Sequence, residues 1–268
     1  MAASNWHLIV ITGASRGFGR ALAESFARRI KTPLHLVLAA RSADGLEETL
    51  QSVLDIRDDR QTDVDVLIMD CAASLDALKE ASAQFCKHAE STRYSDVMFV
   101  ANAGVLGPLD TIGSDALTME ALENAYRINF LSPSCLISEF VKRYKSSSAA
   151  RLAVINVSSL WAVEPAKTFS AYCASKAAME MFMRTLAEET NGSDTPSVRV
   201  LNYAPGPLRT NMQEEIRNTD TVDSGVRTWS IGADKEGTLV EPVLSAEKCA
   251  KLVVTARYSS GAHVDYYD

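Results

Sequence analysis

HLIVITGASRGFG, residues 7–19, is the stretch that decides the fold of this chain. Its first five residues form a mostly apolar run of strand length. Glycines follow at 13, 17 and 19, and the segment Phe18–Ile30 then has the apolar spacing of a helix. A strand, a glycine turn and a helix in this order predict the first unit of a dinucleotide-binding βαβ fold. The apolar run carries no basic flank, so we interpret it as a strand and not as a signal peptide.

The rest of the chain repeats the alternation of strand and helix. Near-continuous aliphatic runs predict further strands at Leu34–Ala39, Val64–Ile68, Val97–Val100, Leu152–Val157 and Val198–Asn202. Amphipathic stretches predict helices at Ala43–Ile56, Ser74–His88, Thr118–Tyr144 and Ser175–Thr190. This pattern predicts an α/β fold: a Rossmann-type doubly wound parallel sheet with helices on both faces, in a single domain spanning residues 1–268.

One region interrupts the alternation. Residues Asn211–Leu239 are polar, we expect them to be irregular, and prolines bound them on both sides. A long excursion on the far side of a catalytic sheet favours a substrate lid, at about residues 207–240. The alternative is a tolerated surface insertion.

Composition excludes several classes of protein. The 268 residues carry a net charge of −7 with dispersed basic residues, which argues against a nucleic-acid partner. A mean hydropathy of −0.04 and the lack of a long apolar run argue against a membrane protein. The five cysteines have no spacing typical of disulfide frameworks or zinc sites, so we expect no metal and a reducing, cytoplasmic location.

The glycine turn predicts a phosphate-binding loop. Gly13, Gly17 and Gly19 let the backbone approach a pyrophosphate, which the following helix N-terminus stabilises. Arg41 ends the second strand, where NAD-binding folds carry an acid, and Arg16 lies in the loop. Two guanidinium groups suit a 2′-phosphate, so together they favour NADP (NADPH), although each alone is explained by a solvated surface cation.

Two other strand ends carry polar residues or glycine. Asp70 follows the third strand and is expected either to contact the adenine end of the cofactor or to cap a turn. Asn102 and Gly104 follow the fourth strand, where glycine lets the backbone pass close to the cofactor ribose. A plain βα turn explains the same residues.

The fifth strand leads into a candidate catalytic set. It ends at Ser158 and Ser159, and Tyr172 and Lys176 follow with the spacing that puts two side chains on one helix face. We expect the ammonium to lower the pKa of the phenol and Tyr172 to donate a proton to a ketone oxygen.

Asn129 stands four residues before Pro133 inside the long predicted helix. Proline has no N–H, so the carbonyl of Asn129 loses its helical partner. That carbonyl either holds a water connecting Lys176 to solvent or marks a simple kink.

These motifs, taken in order, resemble those of the short-chain dehydrogenases/reductases along nearly the whole chain. The resemblance implies hydride transfer from a nicotinamide and a catalytic set of Asn129, Ser159, Tyr172 and Lys176. It implies that Ser159 holds the substrate oxygen and that Lys176 binds the nicotinamide ribose and lowers the pKa of Tyr172. Further cofactor contacts are expected at Ser15, Phe18, Ser42, Asn102, Tyr172, Pro205, Gly206 and Leu208.

Within that family the chain is most similar to the members that reduce side-chain ketones of pterins. The similarity rests on the glycine loop, on LNYAPGPL at 201–208 and on the ending SGAHVDYYD at 260–268. It implies that Asp265 grips the pterin ring, whose adjacent N–H donors match a carboxylate. The alternative for Asp265 is a solvated residue at a frayed terminus. Further substrate contacts are expected at Ser158 and Gly206, and His263 is expected to be structural.

Three expectations complete the interpretation. The Ala177–Leu186 stretch is apolar nearly all round, so we expect burial on several sides, and the resemblance implies a homodimer through this helix. The segment 191–197 is interpreted as a surface loop. Competing functions are a broad-specificity NADPH carbonyl or dicarbonyl reductase, which differs only in the substrate anchor, and a nucleotide-sensing regulator without turnover.

Overall fold

A parallel seven-stranded sheet organises the chain in a computed structural model, which describes residues 5–58, 60–87, 94–145, 151–191 and 198–268. The strands run in the spatial order β3-β2-β1-β4-β5-β6-β7 and all neighbours pair in parallel. Their bounds are β1 Trp6–Thr12, β2 Leu34–Ala40, β3 Thr62–Ile68, β4 Tyr94–Ala101, β5 Arg151–Val157, β6 Val198–Ala204 and β7 Ala262–Asp265.

The sheet is buried on both faces, which is why its central strands are mostly apolar. One core cluster packs the helices Gly17–Arg29, Ala43–Arg57 and Pro242–Thr255 on one face, through residues such as Phe26, Val53 and Cys249. The other packs the helices Leu75–Phe85, Ser132–Tyr144 and Ser170–Thr190, through Phe85, Phe140 and Met183. The predicted Rossmann-type fold and its first six strands are confirmed.

The nine described helices lie between and beyond the strands. Their bounds are α1 Gly17–Arg29, α2 Ala43–Arg57, α3 Leu75–Phe85, α4 Met119–Tyr126, α5 Ser132–Tyr144, α6 Ser170–Thr190, α7 Asn211–Asn218, α8 Ser224–Lys235 and α9 Pro242–Thr255. A π-helical turn, Arg127–Leu131, joins α4 to α5, so the long predicted helix exists with a local widening. Helix α6 begins five residues before the predicted Ser175.

The expectation that residues 211–239 are irregular was wrong, because they form α7 and α8. Apolar periodicity does not predict these two helices, since only Ile216 is buried in α7 and only Ser230 and Ala233 are buried in α8. Helix α8 is started by Asp223, whose carboxylate accepts from the N–H groups of the first turn. The two ends of this segment lie side by side, because the N–H of Val240 donates to the carbonyl of Pro207.

Three further features bear on expectations from the sequence: membrane-spanning helices, the cysteines and the segment 191–197. No helix in the described ranges is long and apolar enough to cross a membrane. All five cysteines are free thiols. The predicted surface loop at 191–197 lies outside the described residues except for Asn191.

Helix α1 approaches the turn that precedes it unusually closely. A Cβ built on Gly19 would lie 2.2 Å from the carbonyl oxygen of Gly13. Gly13 and Gly17 have φ of +68° and +55°, in the left-handed region that favours glycine. The three glycines therefore let the helix begin directly beneath the end of β1.

We predict that Gly19→Ala destabilises the fold by about 1–3 kcal/mol, since the added methyl overlaps backbone that cannot move freely. Gly232→Ala is the matched control, because Gly232 is also helical and its Cβ would meet nothing within 4 Å. That change should be neutral or stabilise by up to about 1 kcal/mol. Urea unfolding midpoints measure both, and equal midpoints for the two variants would contradict the close approach.

Candidate active site

A cleft of about 950 Å³ opens at the carboxyl ends of the strands. It lies where the chain order reverses between β1 and β4, the position at which open parallel sheets bind ligands. Most predicted cofactor residues share its wall: Gly13, Ser15, Arg16, Gly17, Phe18, Gly19, Arg41, Ser42, Asp70, Asn102, Tyr172, Lys176, Pro205 and Leu208.

The side chain of Asn102, which follows β4, holds the start of the glycine loop in place. The Asn102 amide donates to the carbonyls of Thr12, at 2.9 Å, and Gly13, at 3.2 Å. The Thr12 hydroxyl accepts from the N–H groups of Asn102 and Ala103. Because α1 starts at Gly17 on the cleft wall, its free N–H groups fit a pyrophosphate.

Two exposed arginines stand on the cleft wall as the sequence predicted. Neither Arg16 nor Arg41 has an ion-pair partner in the described part of the chain. A third guanidinium, Arg20, was missed by the sequence reasoning although it follows Gly19 directly. Arg20 donates to the Ser15 carbonyl at 2.7 Å and pairs with Glu48 at 2.6 Å, so it anchors the loop.

The strand-end residues serve local structure as well as the cleft. The Asp70 carboxylate accepts from the N–H of Ala72 at 2.8 Å, and Ser42 caps α2 through the N–H of Gly45. Both also line the cleft. A Cβ on Gly104 would lie 3.2 Å from the Asn129 amide oxygen, so glycine leaves room there.

Tyr172 lies buried beside Ser159. Burial raises the pKa of Tyr172 to about 12, and the interaction with Ser159 opposes that rise. The expectation that Lys176 lowers this pKa was wrong for the protein itself. The ammonium is 5.9 Å from the ring centroid, and burial is the largest influence on the pKa of the phenol.

Lys176 is buried beside Tyr172. Its ammonium donates to the Val157 carbonyl at 2.5 Å. Burial lowers the pKa of Lys176 to about 8, while the Glu180 carboxylate acts to raise it. Since the amine sits near its titration point at neutral pH, its charge depends on its surroundings.

Asn129 lies in the π-helical turn, buried behind the cleft wall. Its amide donates to the Val105 carbonyl and to Ser175, and its amide oxygen accepts from the Val105 N–H. The side chain therefore holds the loop after β4. Pro133 has no N–H to donate to the Asn129 carbonyl, and the π-helical turn is the local change in the helix at this place.

The expected substrate residues are less closely grouped. Ser158 lines the cleft, but its hydroxyl donates to Glu180. Gly206 has a φ of +77° and packs against Tyr266. Asp265 ends β7 beside Ala204, and one of its oxygens accepts from the N–H of Tyr267 at 2.9 Å. Neither Gly206 nor Asp265 belongs to the cleft lining.

Two further site neighbours were missed by the sequence reasoning. The Trp161 ring lies 4.4 Å from the Phe169 ring and meets Tyr172 edge-on at 6.2 Å. Glu180 is a buried carboxylate one helical turn beyond Lys176, and its place in an apolar stretch was the available signal. The expected burial of that stretch on several sides holds for Met179 and Met183, whereas Met181 is 57% exposed.

Known proteins resemble this chain over most of its length. The family model for short chain dehydrogenases matches residues 7–221. Sepiapterin reductase from Bos taurus is 35% identical, covering 97% of this chain and 94% of its own. Benzil reductase ((S)-benzoin forming) from Bacillus subtilis is 30% identical, covering 81% and 80%. The crystal structure of the KRED1-Pglu enzyme has a TM-score of 0.79 at 26% identity, covering 96% of this chain and 100% of its own.

The match of family, fold and motif order agrees with the geometry of the cleft. The chain therefore belongs to the short-chain dehydrogenase/reductase family and is an oxidoreductase of the sepiapterin reductase type.

Proposed function

We propose that the protein reduces side-chain ketones of a pterin, such as sepiapterin or 6-pyruvoyl-tetrahydropterin, with NADPH, in tetrahydrobiopterin biosynthesis. The observation that carries the proposal is the placement of buried Tyr172 and Lys176 on the wall of a cleft that also contains the glycine loop, with Ser159 beside the phenol. The sepiapterin reductase relatives support the pterin as substrate.

Each catalytic side chain has a separate role in this proposal. NADPH supplies the hydride that the carbonyl carbon accepts. Ser159 donates a hydrogen bond to the carbonyl oxygen, and Tyr172 transfers its proton to that oxygen as negative charge develops. A phenol whose pKa is raised to about 12 stays protonated at neutral pH and is available as the acid. Lys176 binds the nicotinamide ribose and helps to carry the charge left on the phenolate.

Arg16 and Arg41 are proposed to select NADPH over NADH. Both are exposed on the cleft wall, where the adenosine ribose of the cofactor is expected. Neither forms an ion pair within the described residues, although Glu215 lies within electrostatic range of Arg16. Free guanidinium groups retain their donors for a 2′-phosphate. Asp70 completes this end of the site as the adenine contact.

Asp265 is proposed to anchor the pterin. It lies at the carboxyl end of β7, the same edge of the sheet as the cleft. Its oxygen that accepts from Tyr267 keeps a second lone pair, and the other oxygen remains for the pterin edge. Residues 207–240 are proposed to act as a lid over this part of the site, with Met212 of α7 on the cleft wall.

A homodimer in the cytoplasm completes the proposal. Leu131 and Met181 are 46% and 57% exposed on neighbouring helical segments. Covering them with a second copy removes apolar surface from water.

Asn129 is proposed to act through its fixed position behind Lys176.

A second candidate is a broad-specificity carbonyl or dicarbonyl reductase. The observation that favours it is the apolar wall around Tyr172, which includes Leu109, Phe169 and Trp161. Benzil reductase is among the relatives of this chain. A nucleotide sensor without turnover has no such support, because Ser159, Tyr172 and Lys176 are all present.

Arg41→Ala should raise the KM for NADPH about 10-fold to 100-fold, because the 2′-phosphate loses a guanidinium partner. The KM for NADH should stay nearly unchanged, because NADH has no 2′-phosphate. Arg28→Ala is the control, since Arg28 is exposed on the far end of α1. Initial rates with each cofactor measure the effect. An equal rise for both cofactors would rule out the phosphate contact.

Tyr172→Phe should lower kcat by roughly 100-fold to 10,000-fold while NADPH still binds, because the phenol acts as the acid in the transition state. Tyr144→Phe removes a buried hydroxyl that donates to the Phe85 carbonyl, remote from the cleft, and should leave kcat unchanged. Steady-state rates and NADPH fluorescence titration measure both. A Tyr172→Phe enzyme that keeps most of its kcat would falsify the assignment of the acid.

Asp265→Ala should lower kcat/KM for sepiapterin by about 30-fold to 1000-fold, the equivalent of roughly 2–4 kcal/mol from charge-assisted hydrogen bonds. Reduction of a small dione should change little, since it has no pterin edge. Asp265→Asn keeps the shape with one acceptor and should fall between wild type and Ala. If both substrates lose activity equally, the residue maintains the fold and does not anchor the pterin.

A further inference from the structure

Two adjacent residues of β5 and its end are held by two successive turns of α6. The ammonium of Lys176 donates to the carbonyl of Val157 at 2.5 Å. The hydroxyl of Ser158 donates to the carboxylate of Glu180 in a short hydrogen bond. Lys176 and Glu180 are four residues apart on one helix face, so they clamp the strand end that leads directly into Ser159.

Glu180 also reaches the C-terminal strand. Its second oxygen is 2.8 Å from Nδ1 of His263 on β7. The Glu180 side chain is only 6% exposed and that of His263 is 22% exposed. One buried carboxylate thus connects β5, α6 and β7, the elements that carry Ser159, Lys176 and Asp265.

A buried carboxylate is costly unless it is paired, so its presence here requires compensation. The Glu180 hydrogen bond raises the pKa of His263, which favours the charged imidazole beside this carboxylate. Glu180 in turn favours the charged form of Lys176, one turn earlier on the same helix. Ser158 uses its donor on the same carboxylate.

We propose that Glu180 is a positioning residue of the reductase, which fixes the β5 end beneath Ser159 and keeps the buried Lys176 charged. The inference rests on the proposed catalytic set and does not depend on the pterin as substrate. His263 holds Glu180 in place through the 2.8 Å contact to its second oxygen. The other titratable groups around this cluster in the described chain are Tyr172, Cys173, Asp265 and Asp268.

The pH dependence follows from the directions of these effects. Loss of the carboxylate leaves burial as the main influence on Lys176, so the pKa of its ammonium falls further below about 8. The ammonium then loses its proton at a lower pH. Activity that needs the charged lysine therefore ends at a lower pH.

Glu180→Gln should lower kcat about 10-fold at neutral pH and move the alkaline limb of the kcat profile about one pH unit lower. Glu180→Asp keeps the charge and should keep the wild-type limb. Glu189→Gln changes an exposed carboxylate on the same helix and is the control. The profile is measured with sepiapterin, or with benzil if sepiapterin is not reduced. An unmoved limb in Glu180→Gln would overturn the proposal.

Ser158→Ala separates positioning from charge. It removes one bond to Glu180 and leaves every charge in place, so kcat should fall about 5-fold with the limb unmoved. Ser158→Ala and Glu180→Asp carry the test by themselves if Glu180→Gln does not fold. Full activity in Ser158→Ala, or a moved limb in Ser158→Ala or Glu180→Asp, would overturn the proposal.

Discussion

Burial of both faces of a parallel sheet is the constraint on which this structure depends. Apolar strands need helices on each side, and parallel strands need crossover helices to connect them. All seven strands therefore end at one edge. The order reverses between β1 and β4, and the gap left there is the cleft. The glycine loop fits this gap only because α1 begins almost in contact with the Gly13 carbonyl.

The same burial controls the chemistry of the site. Desolvation raises the pKa of Tyr172 to about 12 and lowers that of Lys176 to about 8, so both are displaced toward their neutral forms. A neutral phenol suits an acid, whereas a neutral lysine loses its electrostatic role. Glu180 opposes that loss from the next turn of the helix. Catalytic groups in an apolar site thus need a charge partner that is itself held in place.

Local pattern was sufficient to predict much of this arrangement. Strand-length apolar runs and the glycine spacing predicted the sheet and the loop, because each depends on neighbours in sequence. Residues such as Arg20 and Trp161 were missed, since their roles depend on contacts that no spacing encodes. The short β7 and the polar α7 and α8 lack apolar periodicity. The sequence reasoning also predicted a lowered pKa for Tyr172, whereas burial in the folded chain raises it.

The central claim is that this oxidoreductase uses NADPH to reduce a pterin ketone. The most direct measurement follows the loss of reduced nicotinamide absorbance with sepiapterin, first with NADPH and then with NADH at equal concentration. The account predicts rapid oxidation of NADPH and much slower oxidation of NADH. Equal rates with the two cofactors, or no oxidation with sepiapterin when a simple dione is reduced rapidly, would contradict it.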